Sequence, residues 1–276
     1  MIIFKLFRFI PYFILYAISD IAFLFIYYIH GYRKKIVRKN LMNSFPDYSI
    51  SEIIKIEKKT YKNLCDIILE SLLLYSISKH EIQKRMKLLN PELLQSLKKN
   101  EERCILIGAH YNNWEWMGLS LSTYLKEDMY GVYKPLSNKY INKLMLKSRM
   151  RFGANIISMN NFAKTILKNQ NFSINVMLAD QSPHKNEVNF YCKFLNQDTP
   201  VYIGPEKLIN AGNMKLFFID VQRIKRGYYE MKIIPLYNKI SKEKGHITRM
   251  HVSYLNKLIN KKPENWLWTH RRWKHS

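Results

Sequence analysis

Cys104-Ile105-Leu106-Ile107-Gly108-Ala109-His110-Tyr111-Asn112-Asn113-Trp114-Glu115-Trp116 is the stretch around which the chain is organised. Its first residues are apolar, which predicts a short buried strand. The pair Gly108-Ala109 ends this run, so His110 follows at the carboxyl end of the strand. Five residues of ideal helix would turn two side chains roughly 140° apart. We therefore expect His110 in a loop and Glu115 on the first turn of the next helix.

The spacing of His110 and Glu115 has two interpretations. An imidazole at a strand end, with a carboxylate in the next turn, is a common arrangement for proton transfer. There the carboxylate also meets the positive end of the helix dipole. The alternative is a structural histidine beside an ordinary first-turn acid. The spacing alone leaves both interpretations open.

The charge composition of the chain limits the classes of partner that it can bind. The 276 residues include 45 Lys and Arg against 21 Asp and Glu, a net charge of +24, which predicts an anionic partner. Nucleic acid, an acidic protein and an anionic membrane all satisfy this. The length allows one large domain with appendages. Cys65, Cys104 and Cys192 are scattered and form no CxxC spacing, which predicts reduced thiols in a cytosol-facing protein and neither a disulfide framework nor a thiolate metal site.

The segment Phe9–Ile29 is almost continuously apolar and aromatic. This is about the ~20 residues that span a bilayer, and no small-residue cleavage site follows it, so residues 1–30 are predicted to be a retained membrane anchor. Asp20 disfavours a simple span, because a central carboxylate costs roughly 2.5–3.5 kcal/mol. A spanning helix and a helix lying at the interface remain open, with a buried core helix as the alternative.

A basic cluster follows the apolar segment and outnumbers the cations before it. Such an excess predicts that the rest of the chain faces the cytoplasm. The cluster comprises Arg33, Lys34, Lys35, Arg38 and Lys39, against Lys5 and Arg8 before the segment.

Residues 31–100 are predicted to be a basic helical region. The capping box Ser49–Glu52 opens a helix that continues to about Ser76, and two further helices are predicted over Lys79–Leu89 and Pro91–Lys99. Residues 101–276 alternate strand-like and helical patterns, which predicts an α/β domain with a mostly parallel sheet. The predicted strands are Cys104–Gly108, Tyr130–Tyr133, Ala154–Ile157, Ile174–Leu178, Lys215–Val221 and Tyr228–Ile234, followed by a final helix over Gly245–Ile259.

Polar turns follow two more of these strands. They are Tyr133-Lys134-Pro135-Leu136 and Ala179-Asp180-Gln181-Ser182-Pro183. Loops at the carboxyl ends of neighbouring strands converge on one crevice in an open α/β sheet. Taken singly, Asp180 fits a turn cap and Lys134 a solvated charge; their shared placement favours a binding site.

The segment around His110 resembles the signature of a known family. Gly108-Ala109-His110-Tyr111-Asn112-Asn113-Trp114-Glu115 is similar to the His-x4-Asp/Glu signature of glycerolipid acyltransferases, in the form carried by bacterial lipid A late acyltransferases. The likeness covers nearly the whole chain. Further matching blocks, in family order, are Ser19-Asp20, Tyr32-Arg33, Asn40-Leu41, Phe45-Pro46, the two polar turns, Arg149 to Gly153, and the tryptophan-rich ending Pro263 to Lys274.

The sequence departs from that family at a few positions. Lys134 stands where the family usually has Arg, Cys192 where Gly is expected, and Glu206-Lys207 where small residues are usual. None of these positions belongs to the His110–Glu115 pair. They bear on the acceptor and the acyl-chain length rather than on the reaction class.

The resemblance implies a glycerolipid-acyltransferase-like domain that transfers a fatty acyl chain from an acyl-carrier-protein thioester to a hydroxyl of a lipid A precursor at the inner membrane. His110 would be the general base and Glu115 would orient its imidazole. Lys134, Arg149 and Arg151 are candidates for acceptor phosphates. Arg223 fits a phosphate ligand and a plain surface charge equally. The remaining substrate-contact candidates are Tyr111, Asn113, Tyr133, Pro135, Asp180, Gln181 and Pro183.

The expected partners are acyl carrier protein, an anionic glycolipid and the inner membrane, with no metal and no cofactor beyond the donor's phosphopantetheine. Two alternatives remain. One is an acyltransferase acting on a lysophospholipid or an aminolipid. The other is a membrane-tethered nucleic-acid-binding protein, which the charge permits but for which the sequence contains no recognisable motif.

Overall fold

The protein is described by a computed structural model over residues 7–188, 190–237 and 243–274. Lys5, one of the two cations that precede the apolar segment, lies outside these ranges. A seven-stranded sheet forms the centre, and helices cover both of its faces. Two core clusters, one on each face, draw buried residues from all three of the predicted segments.

The sheet is mostly parallel, as predicted. Its strand order is β1-β9-β8-β2-β5-β3-β4, and only the β8–β9 pair in this sheet is antiparallel among the described strands. A separate hairpin pairs β6 with β7. The strands are β1 (Met86–Leu88), β2 (Cys104–Gly108), β3 (Met129–Tyr133), β4 (Asn155–Ser158), β5 (Ile174–Leu178), β6 (Tyr191–Phe194), β7 (Gln197–Pro200), β8 (Lys215–Lys225) and β9 (Tyr228–Tyr237).

Helices are present in each segment for which helix bounds were predicted, and one of them is shorter than predicted. They are α1 (Tyr12–Leu24, continued by π-helical turns over Phe25–His30), α2 (Lys34–Ser44), α3 (Ile50–Leu72), α4 (Lys79–Arg85), α5 (Pro91–Lys99), α6 (Trp114–Leu125), α7 (Lys139–Arg149), α8 (Met159–Lys168), α9 (Gly204–Gly212) and α10 (His246–Lys261). Short 3₁₀ turns lie at Phe7–Phe9, Leu73–Tyr75, Lys126–Asp128, Lys185–Glu187 and Pro263–Asn265.

The helix predicted over Lys79–Leu89 is wrong in its second half. It ends at Arg85, and Met86–Leu88 forms the edge strand β1, which pairs in parallel with Tyr229–Met231. The buried pair Met86 and Leu88 alternates with exposed Lys87. Pairing with β9 has therefore overridden a local helical pattern.

The predicted capping box is present: the Ser49 side chain accepts from the backbone of Glu52, whose carboxylate in turn accepts from the backbone N–H of Ser49. The buried face of α3 is unexpectedly acidic, with Glu57, Asp66 and Glu70 all buried. These carboxylates accept hydrogen bonds from α1. We call these three contacts the α1–α3 ladder: Tyr16 Oη to Glu70 (2.8 Å), Ser19 Oγ to Asp66 (2.6 Å) and Tyr27 Oη to Glu57 (2.8 Å).

Helix α1 and its π-helical continuation form one segment, Tyr12–His30, that is long and apolar enough to cross a membrane. One side of it is packed: Leu15, Phe23 and Tyr27 are buried. The opposite side is apolar and uncovered. It includes Phe13, Ile21, Leu24, Phe25 and Ile29, which are each at least half exposed.

Candidate active site

His110 lies in the loop between β2 and α6, as predicted. Backbone hydrogen bonds from the tryptophan-rich ending hold that loop. The backbone N–H of Asn112 donates to the carbonyl of Asn265 (2.8 Å), and the N–H of Leu267 donates to the carbonyl of His110 (3.0 Å). Asn112 has a φ of 55°, in the left-handed region that asparagine tolerates better than most residues. The tryptophan-rich ending therefore braces the catalytic loop.

Asn113 connects the same loop to α3. Its Oδ1 accepts from the N–H of Trp116 (2.9 Å), which caps α6, and its Nδ2 donates to Glu70 (2.7 Å). Glu70 also accepts from the hydroxyl of Tyr229 (2.8 Å), and its own backbone carbonyl accepts from the indole of Trp116 (2.9 Å). A single buried carboxylate thus fixes the start of the helix that follows His110.

The carboxylate that contacts the imidazole is that of Asp180, not that of Glu115. Asp180 Oδ1 lies 2.8 Å from His110 Nδ1, and Asp180 Oδ2 accepts from the backbone N–H of His110 (3.1 Å). Since an ionised carboxylate only accepts, Nδ1 carries the proton and Nε2 is the unprotonated nitrogen that can act as a base. The expected role of Glu115 in orienting the imidazole is corrected to Asp180.

Strand register explains why Asp180 reaches His110. Gly108 at the end of β2 is paired with Leu178 at the end of β5. His110 and Asp180 each follow two residues later, so the two side chains emerge side by side. The sequence placed Asp180 in the correct crevice but gave no indication of which strands are neighbours, and that information selects the partner.

Three groups fix the ionisation state of Asp180. Burial by itself raises the pKa of this carboxyl, but the imidazole of His110 and hydrogen bonds from His110 and Trp266 outweigh burial and lower the pKa to about 2. The Trp266 indole donates to Oδ2 at 2.9 Å. Asp180 is therefore an anion at neutral pH, suited to stabilising a positively charged imidazole.

Glu115 is paired with Arg149 instead. The guanidinium makes a two-pronged contact, Nη2 to Oε1 at 2.6 Å and Nε to Oε2 at 3.0 Å. Arg149 ends α7, which brings it beside the first turn of α6. Arg149 lines the pocket beside His110, but Glu115 neutralises much of its charge, so its contact with acceptor phosphates stays a prediction.

His110, Glu115 and Arg149 border one pocket of about 380 Å³, which we call the His110 pocket. Its wall is apolar over most of its extent and runs beneath the ends of β3 and β5. Five methionines line it, namely Met117, Met129, Met145, Met159 and Met177. Flexible thioether side chains of this kind adapt to irregular apolar ligands.

The other residues expected at the site divide into two groups. Tyr133, Lys134, Gln181 and Pro183 line the His110 pocket, and Gln181 Nε2 lies 3.2 Å from His110 Nε2. Lys134 Nζ lies 3.4 Å from the ring of His184, which also lines the pocket. The pocket therefore contains a second histidine, a proximity that the sequence did not indicate.

The second group belongs to the scaffold. Tyr111 is buried, and its hydroxyl donates to the carbonyls of Leu258 (3.2 Å) and Lys262 (3.3 Å). Asn113 is also buried, and the Arg151 guanidinium donates to the carbonyls of Leu74 and Ile77. Pro135 is exposed beyond the described lining of the pocket. None of these four residues lines the His110 pocket, so the structure gives no support to their predicted contacts with substrate.

The fold is an α/β sheet with a His110–Asp180 pair at the carboxyl ends of two neighbouring central strands, an arrangement typical of an enzyme that uses a histidine for proton transfer. The family model for bacterial lipid A biosynthesis acyltransferases matches residues 1–275, and the chain belongs to that family. A lipid A biosynthesis palmitoleoyltransferase of Escherichia coli strain K12 is 23% identical over 250 residues, covering 88% of this chain and 79% of that protein. A lipid A biosynthesis acyltransferase of Shigella flexneri matches with the same values. The predicted family, fold class and enzyme class are thereby confirmed.

Proposed function

We propose that the protein transfers a fatty acyl chain from an acyl-carrier-protein thioester to a hydroxyl of a lipid A precursor at the cytoplasmic face of the inner membrane. The observation that carries the proposal is the Asp180–His110 pair, in which His110 borders a largely apolar pocket. Family membership supports acyl transfer in lipid A biosynthesis. The donor, the acceptor and the location are the proposed parts.

In the proposed reaction, His110 Nε2 removes the proton of the acceptor hydroxyl while its oxygen attacks the thioester carbonyl. Asp180 stabilises the resulting imidazolium. When the tetrahedral intermediate collapses, the carbon–sulfur bond breaks and the imidazolium returns the proton to the departing thiolate. The product is an ester and a free phosphopantetheine thiol. Arg149 and Glu115, held together as an ion pair, form a polar part of the pocket wall.

The substrates fit the charge and shape of the protein. The net charge of +24 attracts an acidic carrier protein and a phosphorylated acceptor. Lys134 borders the His110 pocket and is exposed, so it is the cation proposed for an acceptor phosphate. The uncovered apolar side of α1 is proposed to lie in the membrane interface, which brings the pocket to lipid substrates.

The test of the base is His110→Ala, with His184→Ala as the matched control in the same pocket. Loss of a general base costs on the order of 10²–10⁴ in rate. We expect a loss of this size for His110→Ala and a much smaller one for His184→Ala, measured with purified protein, acyl-carrier-protein thioester and a lipid A precursor. Near-normal turnover by His110→Ala would contradict the mechanism.

The test of the acyl pocket is Gly118→Leu. Gly118 lies in α6 on the pocket wall, and a Cβ added there meets no atom within 4 Å. A leucine should therefore fill pocket space rather than clash with the protein. We expect kcat/KM for long-chain donors to fall on the order of tenfold or more relative to short-chain donors. Gly118→Ala is the control, expected to keep the chain preference and to stabilise α6 by up to ~1 kcal/mol. An unchanged chain-length profile for Gly118→Leu would place the acyl chain elsewhere.

A further inference from the structure

A second cavity, of about 590 Å³, lies on a different part of the protein. We call it the Asp66 cavity. Its walls come from α1, α3, the turn between β8 and β9, and the segment after α10. Within the described residues it shares no lining residue with the His110 pocket. Its volume lies within the roughly 300–1,000 Å³ typical of small-molecule sites.

The walls of the Asp66 cavity carry an excess of two positive charges. Asp66, whose side chain is 3% exposed, accepts from Arg223 at 2.6 Å and from Arg226 at 2.7 Å. Asp20 also pairs with Arg226, at 2.8 Å. The cations are Lys59, Lys62, Arg223, Arg226 and Lys262, and the carboxylates are Asp20, Asp66 and Glu264.

The excess charge resides on two lysines. Lys59 lies 3.6 Å from Glu264 and is therefore partly neutralised. Across the part of the chain that the structure describes, neither Lys62 nor Lys262 has a carboxylate oxygen within 4.0 Å. Lys62 instead places its ammonium 5.3 Å from the ring centroid of Phe23, at the α1 wall.

The apolar rim of this cavity distinguishes it from a site for a free anion. Phe23 and Leu24 line it. Leu24 is 53% exposed and continues into the uncovered apolar side of α1, next to Ile21 and Phe25. A ligand with a phosphate at one end and acyl chains at the other would satisfy the lysines and this rim together. Lipids at the surface of a membrane present that combination.

We propose that the Asp66 cavity binds the headgroup phosphate of an anionic membrane phospholipid, with Lys62 and Lys262 contacting the phosphate. The acyl chains of the lipid extend past Leu24 into the membrane layer in which α1 lies. Arg223, for which the sequence left a phosphate ligand and a surface charge open, is instead held by Asp66 and shapes the cavity floor. The proposal rests on membrane association of α1 but not on the chemistry at His110.

The test uses the full chain, the double variant Lys62→Gln/Lys262→Gln and a control of equal net charge, Lys164→Gln/Lys168→Gln. The control lysines are exposed on α8, beside the far edge strand β4. The probe is monomeric dihexanoyl phosphatidylglycerol, titrated calorimetrically. We expect one lipid per chain, binding about 30-fold weaker to the double variant, or about fivefold per lysine, and unchanged binding to the control.

Four results would overturn the proposal: no saturable binding by the native protein, equal losses in the variant and the control, equal affinity for dihexanoyl phosphatidylcholine, or displacement by inorganic phosphate at equal concentration. A phosphorylated glycolipid acceptor that displaces the probe, together with a raised acceptor KM for the double variant, would assign the cavity to the acceptor and also overturn the proposal.

If the double variant has a lowered melting temperature, Lys62→Gln alone tests the same expectation, because Lys62 is exposed. Since binding rather than turnover is measured, this test is independent of the His110 mechanism.

Discussion

Two fully buried carboxylates flank the catalytic loop and have opposite pKa shifts. Burial raises the pKa of Glu70 to about 7, even though Asn113, Tyr16 and Tyr229 all donate to it. Burial also acts on Asp180, yet its pKa falls to about 2. Both carboxyls have several donors. The neighbouring groups differ: the imidazole of His110 lowers the pKa of Asp180 electrostatically and by hydrogen bonding, whereas the nearby carboxylate of Asp66 raises the pKa of Glu70.

The contributions of the two residues to the free energy of unfolding therefore change with pH in opposite directions. The pKa of Asp180 is lowered on folding, so its stabilising contribution is present above about 3.8 and is lost as pH falls through about 2. The pKa of Glu70 is raised, so its contribution is fully present below about 4.5 and is lost as pH rises through about 7. The enzyme thus keeps one carboxylate charged for catalysis and pays a stability cost at neutral pH for the other.

The largest effect is expected from Asp180→Asn. The amide cannot stabilise an imidazolium and permits the wrong tautomer of His110, so kcat should fall on the order of 10²–10⁴. Glu115→Gln should reduce kcat less, because Glu115 contacts Arg149 rather than the imidazole. Steady-state kinetics of both variants decide between the two carboxylates. A larger loss for Glu115→Gln would restore the pairing that the sequence predicted.

The second largest effect is expected from Glu70→Gln, on the pH dependence of the free energy of unfolding. The shift of the pKa from 4.5 to about 7 corresponds to about 3 kcal/mol of unfolding free energy lost between pH 4.5 and pH 8. The variant lacks this titration, so its stability should decline less over the same range. Denaturant unfolding at several pH values measures the difference. Parallel profiles for the native protein and the variant would show that Glu70 does not titrate in this range.

The smallest effect is expected from Trp266→Phe, which removes one of the donors to Asp180. A hydrogen bond to a charged group contributes roughly 1.5–3 kcal/mol. At the lower end of that range we expect about a tenfold loss of kcat. Trp273→Phe is the matched control, since the Trp273 indole donates to Thr199 (2.8 Å). Equal losses of kcat for the two variants would contradict this role of Trp266.

Short-range sequence patterns were sufficient to predict the bounds of several strands and helices. The strands Cys104–Gly108 and Ile174–Leu178 and the helix Pro91–Lys99 were predicted with the bounds that the structure has, because apolar run length and the helix-start proline determine them. His110 was placed correctly at a strand end for the same reason. Its carboxylate partner was missed because the choice between Asp180 and Glu115 depends on β2 lying beside β5, a pairing between strands about 70 residues apart.

The role of α3 could not be predicted for a similar reason. The capping box predicted where this helix begins, but no local pattern indicated that Glu70 would be buried. Acidic side chains in a helix usually face water. Here Glu57, Asp66 and Glu70 are buried because α1 brings hydroxyl donors to them, and only the tertiary contact reveals this.

The α1–α3 ladder also has a mechanical consequence. Tyr16 on the apolar helix α1 and Asn113 in the loop after β2 donate to the same carboxylate, that of Glu70. A displacement of α1 therefore pulls on a group three residues from His110. With α1 in the membrane interface, as proposed above, these bonds would hold His110 at a fixed height above the lipid surface. A lipid substrate would then reach His110 by diffusing in two dimensions within the membrane.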